Sequence, residues 1–199
     1  MTGNQIRIAI SGRARTGKNT VAGLLIKYLN LQAGEYRVRA FADPMKEMIR
    51  IMFPKADKES LYGASQLRSN IIDYIYNDES NMPLTYRKVL TDIGKQARNY
   101  NNNIWIYNFD ADFNMNTHTR AYICPDARFI NEIEYLKKQY FYLIRVLRKG
   151  IEVGGDISEQ EQGQIPDESF DKVIHNDFSI DVLSEEVKQI VEELQGKNV

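Results

Sequence analysis

A chain of 199 residues, 43% of them hydrophobic, suffices for one compact domain with its own core and argues against two. Its 26 basic and 27 acidic side chains leave a formal net charge of -1, which excludes bulk-charge binding to nucleic acid or a membrane and confines any basic site to a local patch. The lone cysteine, Cys124, excludes an internal disulfide and a cysteine-based zinc cluster; it suits a reducing compartment and reads as a small core residue.

The amino terminus, "MTGNQIRIAI", has no long apolar stretch, so neither a signal peptide nor a membrane helix is expected and a soluble cytoplasmic protein is the default. "IRIAIS" (6–11) predicts a strand closed by a glycine, and "KNTVAGLLIKYLN" (18–30) places apolar residues at helical spacing. "YRVRAFA" (36–42) predicts a second strand, followed by a helix in which Asp43 caps and Pro44 takes the first position. Residues 58–115 are polar, rich in Asn and Tyr, mostly helical in pattern and without a strong strand; "MPLTYRKVLTDIGKQAR" (82–98) is their clearest amphipathic segment. "RAYICP" (120–125), "YFYLIRVLR" (140–148) and "KVIHN" (172–176) predict three more strands, with helices at "FINEIEYLKKQ" and "SIDVLSEEVKQIVEELQ". Strands alternating with helices predict an α/β fold, a mostly parallel five-stranded sheet covered on both faces. Residues 150–171 hold no lysine or arginine. They read either as a solvated loop or as a flap bounded by Gly150, Gly154 and Gly155.

"SGRARTGKNT" (11–20) lies between the first strand and the first helix. Phosphates are held by backbone N–H groups converging on a helix start, where glycines let the chain turn and leave room for the anion. Gly12 and Gly17 supply those turns around Ala14 and Thr16, and Lys18 is placed to reach terminal phosphates. Asn19 occupies the position of the usual Ser or Thr and offers magnesium only an amide carbonyl or a bound water, while Thr20 keeps a hydroxyl nearby. Arg13 and Arg15 serve either solubility or the oxygens of a triphosphate.

"GRARTGKNTVA" is similar to the loop G-K-x-x-S-G-K-D-T-V-A of the phage-type deoxynucleoside monophosphate kinases, a branch of the P-loop kinases. "FADPMKE" resembles the family's F-A-D-P-L-K, "GASQLRSN" its S-E-x-R-N region, "CPDARFINEIEYLK" its D-x-R-F-x-N-E, and "FDKVIHND" its F-D-x-x-I-x-N. "YRKVLTDIGKQAR" followed by "IWI" resembles R-x-x-L-Q-x-x-G-T-E and W-I, with Thr91, Lys95 and Gln96 at variant positions. The resemblance spans nearly the whole chain. It implies a single P-loop kinase domain with a sheet core at about 1–42 and 118–199, a helical acceptor-binding region at about 43–117 and a lid at about 149–170. It further implies ATP with Mg2+ as cofactors and small nucleotides as partners. Neither nucleic acid nor a membrane is expected, a homodimer is allowed for, and the setting is the host cytoplasm if the chain is phage-encoded.

Phosphoryl transfer between two anions requires positive charge over both and exclusion of water. Lys18, Arg15, Arg128 and Arg148 form the catalytic set that the resemblance implies. ATP binding falls to residues Gly12 to Thr20 with Arg145, Asn176 and Asp177, the last two in a turn that resembles the one around adenine in related kinases. Arg145, Arg148 and Lys149 either cover the donor phosphates or pair with the acidic segment that follows. Asp126 and Arg128 either serve magnesium-bound water and the acceptor phosphate or form a closing salt bridge. Asn19 and Asp126 are the metal candidates, directly or through water. Asp43, Lys46, Arg68, Arg87, Arg98 and Trp105 are the acceptor side, Trp105 by stacking or as plain core. Glu132, one turn after Arg128, contacts the base or caps local charge. His175 reads as packing, and His118 has nothing near it in sequence to suggest a metal or a base. The rival readings are a P-loop kinase for another small acceptor, of phosphomevalonate or dephospho-coenzyme A type, and a nucleotide-binding regulator without turnover.

Overall fold

A computed structural model describes residues 5–63, 65–73, 83–151 and 157–196. In chain order these form β1 (Ile6–Ser11), α1 (Lys18–Tyr28), β2 (Tyr36–Val38), α2 (Asp43–Met52), α3 (Lys58–Tyr62), β3 (Ile71–Asp73), β4 (Leu84–Thr85) and α4 (Tyr86–Tyr100). They continue with α5 (Ile104–Met115), β5 (Ala121–Ala127), α6 (Ile130–Lys138), β6 (Tyr142–Leu147), α7 (Ile157–Gln164), β7 (Lys172–His175) and α8 (Ile180–Gly196). Single 3-10 turns stand at Ser65–Ser69 and Asp167–Ser169.

The main sheet has the order β2-β5-β1-β6-β7 and every pairing in it is parallel. Parallel strands buried on both faces read as continuous apolar runs, and Ile8, Ala9 and Ile10 of β1 are indeed sealed from solvent. Alternation then assigns the two layers. Ile8, Ile10, Ile123, Ile144 and Val146 meet Val21 and Leu25 of α1 and Val187, Ile190 and Val191 of α8. Tyr122 points the opposite way from Ile123, into an aromatic cluster with Phe109, Phe113 and Phe141 at ring separations of 5.1 to 6.1 Å.

The chain divides into two units, one of the described residues up to Phe41 and from Phe109 onward, the other Ala42–Asn108. The second unit has its own core, in which Ile49 of α2 packs with Leu61 of α3 and with Tyr86, Val89 and Leu90 of α4. Two of its helices, α3 and α4, begin on side-chain caps: Asp57 accepts from the Glu59 and Ser60 amides and Thr85 from the Lys88 amide.

Several elements differ from the sequence expectation. β2 stops at Val38 rather than 42, because Phe41 leaves the sheet to stack on Phe109 at 4.2 Å. β5 continues past Pro125 to Ala127 by means of a bulge: one extra residue lies between the Ala9–Cys124 and Ser11–Ala127 pairs, where proline has no N–H to give. Asp43 is the first helical residue of α2, one place after the cap position at Ala42, and Pro44 is the second. The segment expected to carry no strong strand holds a short antiparallel pair, β3 of three residues with β4 of two. The lysine- and arginine-free stretch contains a helix, α7; Gly154 and Gly155 lie outside the described residues. Among the described residues no helix is long and apolar enough to cross a membrane.

Candidate active site

β1 is central, with β5 and β6 on either side, so the loop after it opens onto the carboxyl edge of the sheet, where open α/β folds bind ligands. Gly12 (φ 152°) and Gly17 (φ 103°) take up backbone conformations that a side chain resists. A Cβ on Gly12 would strike the Val146 carbonyl, and one on Gly17 would strike the Asn176 amide. Arg15 completes the turn at φ 67°, exposed at the loop surface. The N-terminus of α1 faces the loop with no acidic residue in its first turn, so its unpaired N–H groups and positive dipole end favour an anion there.

Lys18 is only 8% exposed and its Nζ donates to the Gly12 and Arg13 carbonyls at 2.6 and 2.7 Å. The same Nζ lies 3.4 Å from Asp126 Oδ1. Arg128 Nε reaches both oxygens of Asp126, at 3.0 and 2.9 Å, giving a Lys18–Asp126–Arg128 line of charge along the ends of β1 and β5. The bulge at Pro125 re-aims Asp126 toward Lys18. Thr16 donates its hydroxyl to the Arg13 carbonyl at 3.0 Å, and Asn19 and Thr20 are exposed on the first turn of α1.

A cleft of about 370 Å³ opens beside this loop, lined by Gly12, Arg13 and Thr16, by Arg145 and Arg148, and by Gln162 of α7. Asp177 also lines it and accepts from the Lys149 amide at 2.6 Å, while Lys149 Nζ lies 3.6 Å from its other oxygen. Arg148 is exposed and has no ion pair with a described residue. Arg145 differs: it is 9% exposed, donates to the carbonyls of Ile165 and Gln162, pairs with Asp167 at 2.9 Å and lies over the Phe170 ring. Asn176 donates to the Thr16 carbonyl at 2.8 Å. Glu132 is 3% exposed, and its Oε2 accepts from the Arg128 and Phe129 amides at the start of α6, so this carboxylate caps a helix.

The acceptor candidates Asp43, Lys46, Arg68, Arg87, Arg98 and Trp105 all fall in the Ala42–Asn108 unit. Lys46 Nζ lies 2.8 Å from Asp43 Oδ1 and 4.9 Å from the centre of the Tyr62 ring. Arg98 donates to the Gly94 carbonyl at 3.4 Å, where Gly94 lets Met45 of α2 approach α4. Arg68 is half-buried and Arg87 exposed. Trp105 is 5% exposed, and its Nε1 finds no acceptor among the described residues. Ser11, Gln162, Gly163 and His175 belong to the site region although their sequence context singles none of them out as a ligand.

A parallel sheet with a glycine-turned loop after its central strand, and a lysine opening the next helix, is the architecture of the P-loop α/β proteins. No family model matches the chain. It is 26% identical over 205 residues to a protein of Acanthamoeba polyphaga mimivirus named "Putative deoxynucleotide monophosphate kinase", across 97% of this chain and 100% of that protein.

Proposed function

We propose that this protein is an ATP-dependent kinase that phosphorylates a deoxynucleoside 5'-monophosphate to the diphosphate. The observation that carries the reading is Lys18, held on the Gly12 and Arg13 carbonyls at the mouth of the central strand and 3.4 Å from Asp126. Full-length similarity to the mimiviral protein points the same way.

In this reading an acceptor phosphate oxygen attacks the γ-phosphorus in line, the bond from that phosphorus to the β-phosphate oxygen breaks, and ADP leaves without an enzyme nucleophile. The loop from Gly12 to Thr20 cradles the donor phosphates. Lys18, Arg15, Arg128 and Arg148 meet the charge on the transferring oxygens. Asp43, Lys46, Arg68, Arg87, Arg98 and Trp105 serve the acceptor. Arg145 acts from beneath the lid, since its donors are engaged with Gln162 and Ile165.

Magnesium fits this donor set. Magnesium takes one or two protein oxygens and completes its shell from phosphates and water. Asp126, beside Lys18, would hold it directly or through water, with the Asn19 carbonyl as the other protein oxygen. Bound there, it would neutralise charge shared between phosphate oxygens.

The test is ADP formation from ATP and Mg2+ with each of dAMP, dCMP, dGMP, dTMP and the ribonucleotides, for the wild type and Lys18→Ala. Turnover with deoxynucleotides that the substitution abolishes is the expected result. ATP binding with no turnover on any nucleotide would overturn it and favour another small acceptor or a regulator.

A further inference from the structure

The sequence of α7, "ISEQEQGQ", has one large apolar residue, so the helix lacks the apolar stripe by which surface helices normally dock. Yet Gln162 within it is 2% exposed, while Gln160, Gly163 and Gln164 face solvent. Its Nε2 is aimed at the ends of two strands, 3.2 Å from Ser11 Oγ of β1 and 3.4 Å from the Ala127 carbonyl of β5. Its main-chain carbonyl accepts from Arg145 Nη2 of β6 at 3.1 Å. Three adjacent strands therefore hold one glutamine. Gly163, next along, lies against the phosphate loop, where a Cβ would stand 3.6 Å from Arg13 Nη2.

We propose that Gln162 is a positioning residue that latches α7 onto the carboxyl edge of the sheet, closing the cleft over the phosphate loop and keeping water from the transferring phosphoryl group. The role rests on the kinase reading. A polar latch suits a lid that opens in each cycle: its hydrogen bonds exchange for bonds to water at small net cost, whereas a docked apolar face would resist opening. Loss of the latch leaves the phosphates accessible to water, so ATP is hydrolysed without transfer.

Gln162→Ala and Gln162→Glu test this. The glutamate keeps the volume and loses the N–H donor, and thermal melts close to wild type certify the fold of both. Three quantities are read: hydrogen exchange of the amides from Gln160 to Ile165, dissociation of a fluorescent ATP analogue, and ADP formed without acceptor relative to transfer. Both variants should exchange and release nucleotide about tenfold faster, the order expected for one lost buried hydrogen-bond set, with a raised hydrolysis-to-transfer ratio. Wild-type exchange in the variants overturns the proposal. So does faster exchange with unchanged nucleotide release and unchanged hydrolysis ratio, because α7 would then be merely structural. If the wild type binds ATP but transfers nothing, the kinase reading fails while exchange and dissociation still decide the latch. If it binds no ATP, both fall.

Discussion

The side-chain amide of Asn176 donates a 2.8 Å hydrogen bond to the main-chain carbonyl of Thr16, tying the turn after β7 to the phosphate loop across 160 residues of chain. Fixing that carbonyl fixes the peptide plane it belongs to, and with it the direction of the Gly17 N–H at the start of α1.

Replacing Asn176 with alanine leaves the Thr16 carbonyl without this donor. The KM for ATP should rise about five- to tenfold with a thermal midpoint within a few degrees of wild type, as steady-state kinetics and a melt will report. An unchanged KM would mean that the loop holds its shape through its glycines alone. Gly17→Ala should be more damaging, since its Cβ strikes the Asn176 amide and its φ of 103° is strained for any side chain. Adding Asn176→Ala relieves only the clash, so activity should not return.

Lys18→Ala should lower kcat by on the order of 10^3, the scale of losing one preorganised charge at a transferring group. Lys18→Arg should rescue little, because a planar guanidinium does not fit where a single ammonium reaches both the Gly12 and Arg13 carbonyls. Full activity in the arginine variant would show that the site accepts a planar cation as readily as an ammonium.

Arg145 and Arg148, three residues apart, should separate. Arg148 is exposed at the cleft, so Arg148→Ala should lower kcat by about a hundredfold at nearly constant thermal midpoint. Arg145 is buried and holds two carbonyls and Asp167, so Arg145→Ala should lower the midpoint by several degrees as well as activity. The reverse pattern in differential scanning fluorimetry would reassign the two.

Asp112 governs part of the acid response. Burial pushes its carboxyl upward, but hydrogen bonds from Arg37 and Tyr122 and the charges of Arg37 and Arg39 outweigh this and hold it below the ordinary aspartate value. A carboxylate depressed in the folded state contributes stability that is fully present above its unfolded value, roughly 3.9, and is lost as pH falls through the folded value. The thermal midpoint should therefore fall below about pH 4. Asp112→Asn should be less stable at neutral pH and show a flatter acid limb. Glu35 and Asp57 are lowered too, first of all by the Gln32 amide and the Ser60 hydroxyl, so the difference between variant and wild type is the quantity to measure. An identical acid limb in the variant would exclude Asp112 as a contributor.

The five parallel strands and the phosphate loop were legible in the residues because each is determined within a few positions. The apolar run of β1 needs no partner to be recognised, and Gly12, Gly17 and Lys18 have meaning as a spacing on a strand–loop–helix unit. α8 and α4 announce themselves by apolar periodicity. α7 does not, because its docking is polar and its periodicity nearly absent, so the segment read as a loop or flap.

Relationships between residues far apart in the chain emerged only on folding: Asn176 on Thr16, Gln162 on Ser11, Asp126 on Lys18. Each depends on strand order and register, and on the bulge that proline forces into β5, none of which leaves a periodic trace. Local signals were enough for a P-loop α/β chain with a lysine opening the helix after the glycine-turned loop, since backbone conformation and helix onset are local. That Glu132 caps α6 and that Arg145 is engaged by the Ile165 and Gln162 carbonyls was likewise decided by burial and by the main-chain groups that folding brings within hydrogen-bond reach.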